Sequence, residues 1–321
     1  MRRFHTLRAN AEIRNANAEV FLCKEDFIYP LFVIDGQNIK EEISGFFNVF
    51  RYTTDCLIEE IKTVTDLGIS KILLFPVIEC NRKDSFATFS YNKDSFFLKA
   101  ISLIHERFPE ILVFTDVCLC AYTNHGHCGL FSDEILDNDM SIQTLAKIAV
   151  SHAQAGANYV SPSAMMDGQV ETIREALNKH NLHSTKIMSY SSKYSSSMYG
   201  PFREAAQSSP SFGDRKAYQL DYRTIQQGID ESCADFEEGA DILMVKPALH
   251  YLDIIQRIKS TLPTSKLAAY HVSGEYMMIM AAAKSGYLDE KNAFLEATNS
   301  IKRAGADNII SYYSKQLVKL I

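Results

Sequence analysis

Apolar residues fall into short, nearly unbroken runs, separated by longer segments in which they recur every three or four positions. The runs are Phe27–Ile34, Lys71–Val77, Ile111–Leu119, Tyr159–Ser163, Ile187–Ser195, Ile242–Pro247, Leu267–Ser273 and Asn308–Tyr313. A run that is apolar on both faces suits a strand covered on both sides, so these predict eight buried strands. Helical spacing opens at Asp55 and ends near Gly68, and returns over Phe96–Phe108, Ile142–Gly156, Gln169–Asn181, Thr224–Gly239, Tyr251–Leu262 and Glu275–Gly286, with Glu290–Gly305 before the last strand. Strands alternating with helices imply parallel units, and eight of them predict an α/β fold of the closed TIM (β/α)8 barrel kind. No Gly-x-Gly-x-x-Gly follows the first strand, which speaks against a dinucleotide-binding sheet. Two polar stretches break the rhythm, His125–Met140 after the third strand and Tyr199–Tyr222 after the fifth. Both follow strand C-termini, where barrels build their sites, so they are expected to be lids or binding loops. Residues 1–24 show no core period and are expected to form an extended arm ordered by a partner surface; residues 25–321 form the barrel domain.

Composition narrows the chemistry. With 46% hydrophobic and 22% charged residues among 321, the chain can bury a full core. A formal charge of −6 and the absence of a Lys/Arg cluster exclude a nucleic-acid track. No apolar run approaches membrane-spanning length, and the basic start Met1–Arg8 has no apolar segment behind it, so a cytoplasmic protein acting on small molecules is expected. Seven cysteines, odd in number and scattered except for one cluster, argue for reduced thiols rather than a disulfide scaffold.

That cluster lies in Asp116–Gly129. Cys118 and Cys120 stand two apart on a segment read as extended, and turns at Gly126 and Gly129 can return Cys128 to them. Three thiolates at one point suit Zn²⁺ with a fourth position open for water or substrate; His125 or His127 could ligate or carry protons. The plainer alternative is buried strand cysteines beside a surface loop. In Asp241–Pro247 four apolar residues end in Lys246, and a proline stops the strand. Burial disfavours the ammonium, so the pKa should fall and leave a nucleophilic amine. Lys193 ends the preceding strand. Either lysine alone reads as an ordinary strand-end cation; adjacent strands would bring both to one pocket, each lowering the other's pKa. In the second loop Arg203 and Arg215 offer guanidinium forks to a substrate carboxylate, unless Glu204 or Asp214 pairs with them. Ser273 and Tyr312 end the last two strands and could bind a second carboxylate.

Asp116–Gly129, Met165–Gly168, Met188–Ser195, Gly200–Gln219, Gly239–Pro247, Tyr270–Glu275 and Ala304–Asp307 together resemble the porphobilinogen synthase (5-aminolevulinate dehydratase) family, from about Arg2 to the C-terminus. The resemblance implies condensation of two 5-aminolevulinates to porphobilinogen with loss of two waters, an early step of tetrapyrrole formation. It implies Lys246 as the Schiff-base lysine for the first substrate and Lys193 as its partner. Cys118, Cys120 and Cys128 would be catalytic zinc ligands; Arg203, Arg215 and Gln219 would hold one carboxylate, Ser273 and Tyr312 the other. In the mechanism these parts suggest, a zinc-bound hydroxide or Asp116 and His127 would move protons. Glu231 aligns with a glutamate that supports an allosteric magnesium, and the arm resembles one that embraces a neighbouring subunit in a homo-octamer. Departures stand at Ala164, where the family usually has aspartate, at Gln169, usually arginine, and over Ile43–Asn48, which lacks the usual turn. A Schiff-base aldolase on the same barrel would need one lysine and no cysteines; a non-enzymatic zinc or thiol sensor would need the cysteines and neither lysine.

Overall fold

In a computed structural model, which describes residues 1–132 and 135–321, eight parallel strands close on themselves. They are β1 (Phe27–Val33), β2 (Lys71–Pro76), β3 (Leu112–Val117), β4 (Tyr159–Pro162), β5 (Lys186–Lys193), β6 (Ile242–Lys246), β7 (Lys266–His271) and β8 (Asn308–Ser311). Each pairs with the next, and β8 pairs with β1 through Phe27 opposite Ile309 and Ile28 opposite Ile310. The expected TIM barrel is the fold. Its strands are buried on both faces, as in β1, where every residue is covered. That double covering explains the unbroken apolar runs.

Helices run back over Thr54–Asp66, Phe96–Arg107, Asn138–Gln154, Gln169–Lys179, Gln226–Glu237, Leu252–Thr261 and Glu290–Ala304, with a further helix, Ser273–Lys284, directly after β7. Boundaries differ from the expected ones by a few residues, the usual effect of fraying and capping. Three small elements have no counterpart in the periodicity. A hairpin of Lys40–Glu42 and Phe50–Tyr52 extends β1, another pairs Leu130–Ser132 with Ile135–Asp137, and Gly200–Ala205 is a short helix inside the loop after β5. Three-residue strands are too short to show a period. Residues 1–24 carry a 3-10 turn at Phe4–Arg8 and a helix at Ala11–Ala16, neither with a buried residue. No helix of the described residues is long and apolar enough to cross a membrane.

At the C-terminal ends of the strands the barrel is floored with aromatic rings. Phe32 lies 5.5 Å from Phe75, Tyr312 packs 4.7 Å from Phe46, and Tyr270 donates to or accepts from Tyr312 at 2.9 Å between hydroxyls. From above, Phe202 of the short helix drops edge-on to Phe75 at 5.1 Å. The segment carrying Phe202 is pinned over the mouth from several sides. Arg51 donates to the carbonyls of Ala205 and Glu204, each at 2.8 Å, and Lys83 to that of Gln207 at 2.7 Å. Ser273 accepts from the Phe202 N–H at 3.1 Å and donates to the Met198 carbonyl at 3.3 Å. The loop after β5 is therefore a closed lid.

Candidate active site

Lys193 and Lys246 are register partners on β5 and β6, each 5% exposed. Parallel pairing puts equivalent strand ends side by side, so two lysines that end adjacent strands meet at one mouth. Around Lys246 Nζ stand the rings of Tyr270 at 4.3 Å, Phe202 at 4.9 Å, Tyr190 at 5.0 Å and Tyr199 at 5.4 Å. Among the described residues it makes no hydrogen bond or ion pair. Burial first, and Lys193 second, bring its pKa down to about 7, with Asp116 and the nearby thiols pulling the other way. Lys193 Nζ instead donates to the Ser163 carbonyl. Asp116, 8% exposed at the end of β3, is raised to about 6 by burial, although a hydrogen bond from Ser163 and both lysines oppose the rise.

The thiols converge as the spacing predicted, by a different path. Cys118 lies just past β3, and the chain turns at Leu119, whose carbonyl accepts from Tyr122 and Thr123 at 2.8 and 2.9 Å. That turn, not extended alternation, sets the two sulfurs 3.4 Å apart. Gly126, at φ +71, returns the chain to bring in Cys128, and a Cβ there would stand 2.3 Å from the Ser209 carbonyl oxygen of the lid. Gly129 is not left-handed; its missing Cβ makes room for Leu136. All three sulfurs lie within 4.8 Å of one another and are buried. Hydrogen bonds from Cys118 and Cys120 hold Cys128 well below the usual thiol range. The neighbouring sulfurs and burial instead raise Cys118 and Cys120, so a cation would have to draw off their protons. A buried triad of sulfurs this close together, with one already disposed to be a thiolate, fits Zn²⁺.

Arg203 and Arg215 both line a cleft of about 900 Å³ at the lid's outer edge, together with Gln219 and His250. Neither forms an ion pair with Glu204 or Asp214 among the described residues; Asp214 pairs with Lys216. Arg215, 5% exposed, donates through Nη2 to the Gly126 carbonyl at 2.8 Å and to the Ser208 carbonyl, while its Nε, the Nε of Arg203 and both amide atoms of Gln219 are buried without partners among the described residues. Unpaired buried donors cost about 1–3 kcal/mol each, so this group is made for an acid brought by a ligand. Ser273 and Tyr312 sit across the mouth, both buried.

Two expected residues stand apart. His127 has both ring nitrogens engaged, one with the Tyr218 hydroxyl at 3.0 Å and one with the Phe212 carbonyl at 2.9 Å, so in this arrangement it braces the lid. Glu231 lies on the outside of the barrel, lining a cleft with Asp167, Asp230 and Glu238; burial, then Asp235 and these acids, raise it to about 7. Other contributors were not visible in advance. The fully buried Glu275 accepts from the N–H groups of Leu249 at 2.7 Å, Val272 at 2.9 Å and Ala248 at 3.4 Å, tying the segment after Lys246 to the one before Ser273. Its place three residues after Val272, in the first turn of a helix, was the available signal. The aromatic box around Lys246 was hidden because its rings come from three separate segments.

Amines, thiols and unpaired acid-binding groups at the C-terminal mouth of a closed barrel define a barrel enzyme. Residues 1–320 match the family described as Delta-aminolevulinic acid dehydratase. The enzyme of that name from Bacillus subtilis (strain 168) is 46% identical over 319 residues, spanning 99% of this chain and 97% of that protein. The one from Methanothermus sociabilis is 46% identical over 321 residues, 99% of this chain and 98% of its own. The crystal structure of delta-aminolevulinic acid dehydratase (porphobilinogen synthase) from Toxoplasma gondii ME49, in complex with the reaction product porphobilinogen, superposes with a TM-score of 0.97 at 39% identity, covering 100% of this chain and 92% of that one. The chain belongs to the delta-aminolevulinic acid dehydratase family.

Proposed function

We propose that the chain condenses two 5-aminolevulinates into porphobilinogen with loss of two waters, through amine chemistry at Lys246 and Lys193. The pairing of two buried lysines in register, one with its pKa near 7, carries this reading. Lys246, whose pKa burial brings down to about 7, attacks the ketone of one substrate as the neutral amine, and the resulting iminium acidifies the adjacent carbon. Lys193 holds the second substrate. Arg203, Arg215 and Gln219 fix one carboxylate; Ser273 and Tyr312 fix the other, so two identical molecules lie in different orientations. Asp116, raised to about 6, is suited to exchange protons between them. Phe202 and the lid exclude water, which favours the iminium.

Cys118, Cys120 and Cys128 would hold Zn²⁺, which, when bound, supplies a Lewis acid beside the second substrate. Glu231, in its acid-rich setting, is the candidate ligand for a regulatory Mg²⁺. The exposed arm, with Phe4, Leu7 and Phe21 uncovered, fits exchange between subunits of a homo-octamer. The scattered free thiols suit a reducing compartment, the cytoplasm. Incubation with 5-aminolevulinate and a colour assay for the pyrrole tests the reaction. Borohydride added with substrate should leave one adduct on Lys246, and full turnover by a Lys246→Ala variant would refute the proposal. Metal analysis before and after chelation tests the zinc site: loss of zinc with turnover intact would remove its catalytic role.

A further inference from the structure

Tyr190 is fully buried, and its hydroxyl has no hydrogen-bond partner among the described residues. Its neighbour on β5 points the other way: Ser189 donates at 2.6 Å to Asp235 on the helix behind the strand. Tyr190 therefore faces the barrel interior. Its ring lies close to both amines, 5.0 Å from Lys246 Nζ and 5.6 Å from Lys193 Nζ. Burial, followed by Asp116, Tyr312, Cys118 and Tyr199, raises the phenol well above its usual range, and those groups all ring the same mouth. An orphaned buried hydroxyl costs about 1–3 kcal/mol, and phenylalanine would fill the same volume without that cost. The hydroxyl has a partner to meet only when a ligand enters.

We propose that Tyr190 is a catalytic residue whose hydroxyl donates a hydrogen bond to the ketone oxygen of the substrate as Lys246 attacks it. This rests on the amine chemistry proposed above. In the step, the Lys246 lone pair forms the C–N bond and the carbonyl π pair moves onto oxygen. The phenol steadies that oxygen while keeping its own proton, and a proton left on the former amine nitrogen then passes to the oxygen, giving the neutral carbinolamine. A phenol that stays protonated at every working pH is suited to this role, because it is always a donor.

The test is Tyr190→Phe in the full chain, with substrate trapping by borohydride followed by mass in single-turnover mixing. Removing one donor of this kind should slow trapping by about 10²-fold or more. Because the hydroxyl has no partner to lose, Tm should hold or rise, and KM should change by less than about threefold, since the carboxylate contacts remain. Trapping at the wild-type rate, or a Tm several degrees lower, would overturn the assignment. If the wild-type chain does not trap substrate, the Schiff-base reading falls and this one with it; normal trapping in both sinks only the role of Tyr190.

Discussion

The amines at the ends of β5 and β6 share burial, register and mouth, yet differ in company. Lys193 Nζ donates a hydrogen bond to the Ser163 carbonyl. Lys246 meets four aromatic rings and, among the described residues, no acceptor, and its pKa falls to about 7. Neighbouring side chains, not depth, therefore distinguish two like residues, and in the proposed reaction one serves as anchor and the other as nucleophile.

Lys246→Ala should break that division most severely, lowering turnover by about 10⁴-fold or more and abolishing borohydride labelling at that position. Lys193→Met should stop the pyrrole assay but leave Lys246 labelled by substrate. Removing a neighbouring cation should also raise the Lys246 pKa, moving the midpoint of the trapping-rate profile to higher pH. Arg215→Ala should raise KM by about 10- to 100-fold through one lost charged hydrogen-bond pair, read in steady-state kinetics. In the unaltered chain, trapping should climb about tenfold per pH unit below about 7 and level off above it, as Lys246 sheds its proton. Lys246→Met should stabilise the fold. The lysine's folded-state pKa is depressed, so folding expels a proton between about 7 and 10.5, and the cost is full below that window and gone above it. The variant's gain, on the order of 2–4 kcal/mol at neutral pH after allowance for coupling, should shrink as pH rises, measured by denaturant melts at two pH values.

Much of this was legible in the chain. Continuous apolar runs gave the number and parallel sense of the strands, since only a sheet covered on both faces tolerates them. Lys246 was marked by its proline stop, and Lys193 by its place one strand earlier. Cys118, Cys120 and Cys128 were marked by density. The turn at Leu119 was invisible, because an apolar residue between two cysteines reads as strand. So was the job of His127, whose partners Tyr218 and Phe212 come from the lid far along the sequence. The unpaired Nε atoms of Arg203 and Arg215 and the unpaired amide of Gln219 were also hidden, because Asp214, the acid beside Arg215 in sequence, pairs with Lys216 instead. Long-range side-chain company is what local patterning does not encode.

Ser273 is committed to the lid through both donor and acceptor, yet it is also one of the groups proposed to grip a carboxylate. A hydroxyl has one proton, so an acid that takes it must displace the Met198 carbonyl. The serine would work as a two-position latch, fastening either the cover or the cargo. Susceptibility of the Gln207–Asp214 stretch to protease would then report which of the two it holds.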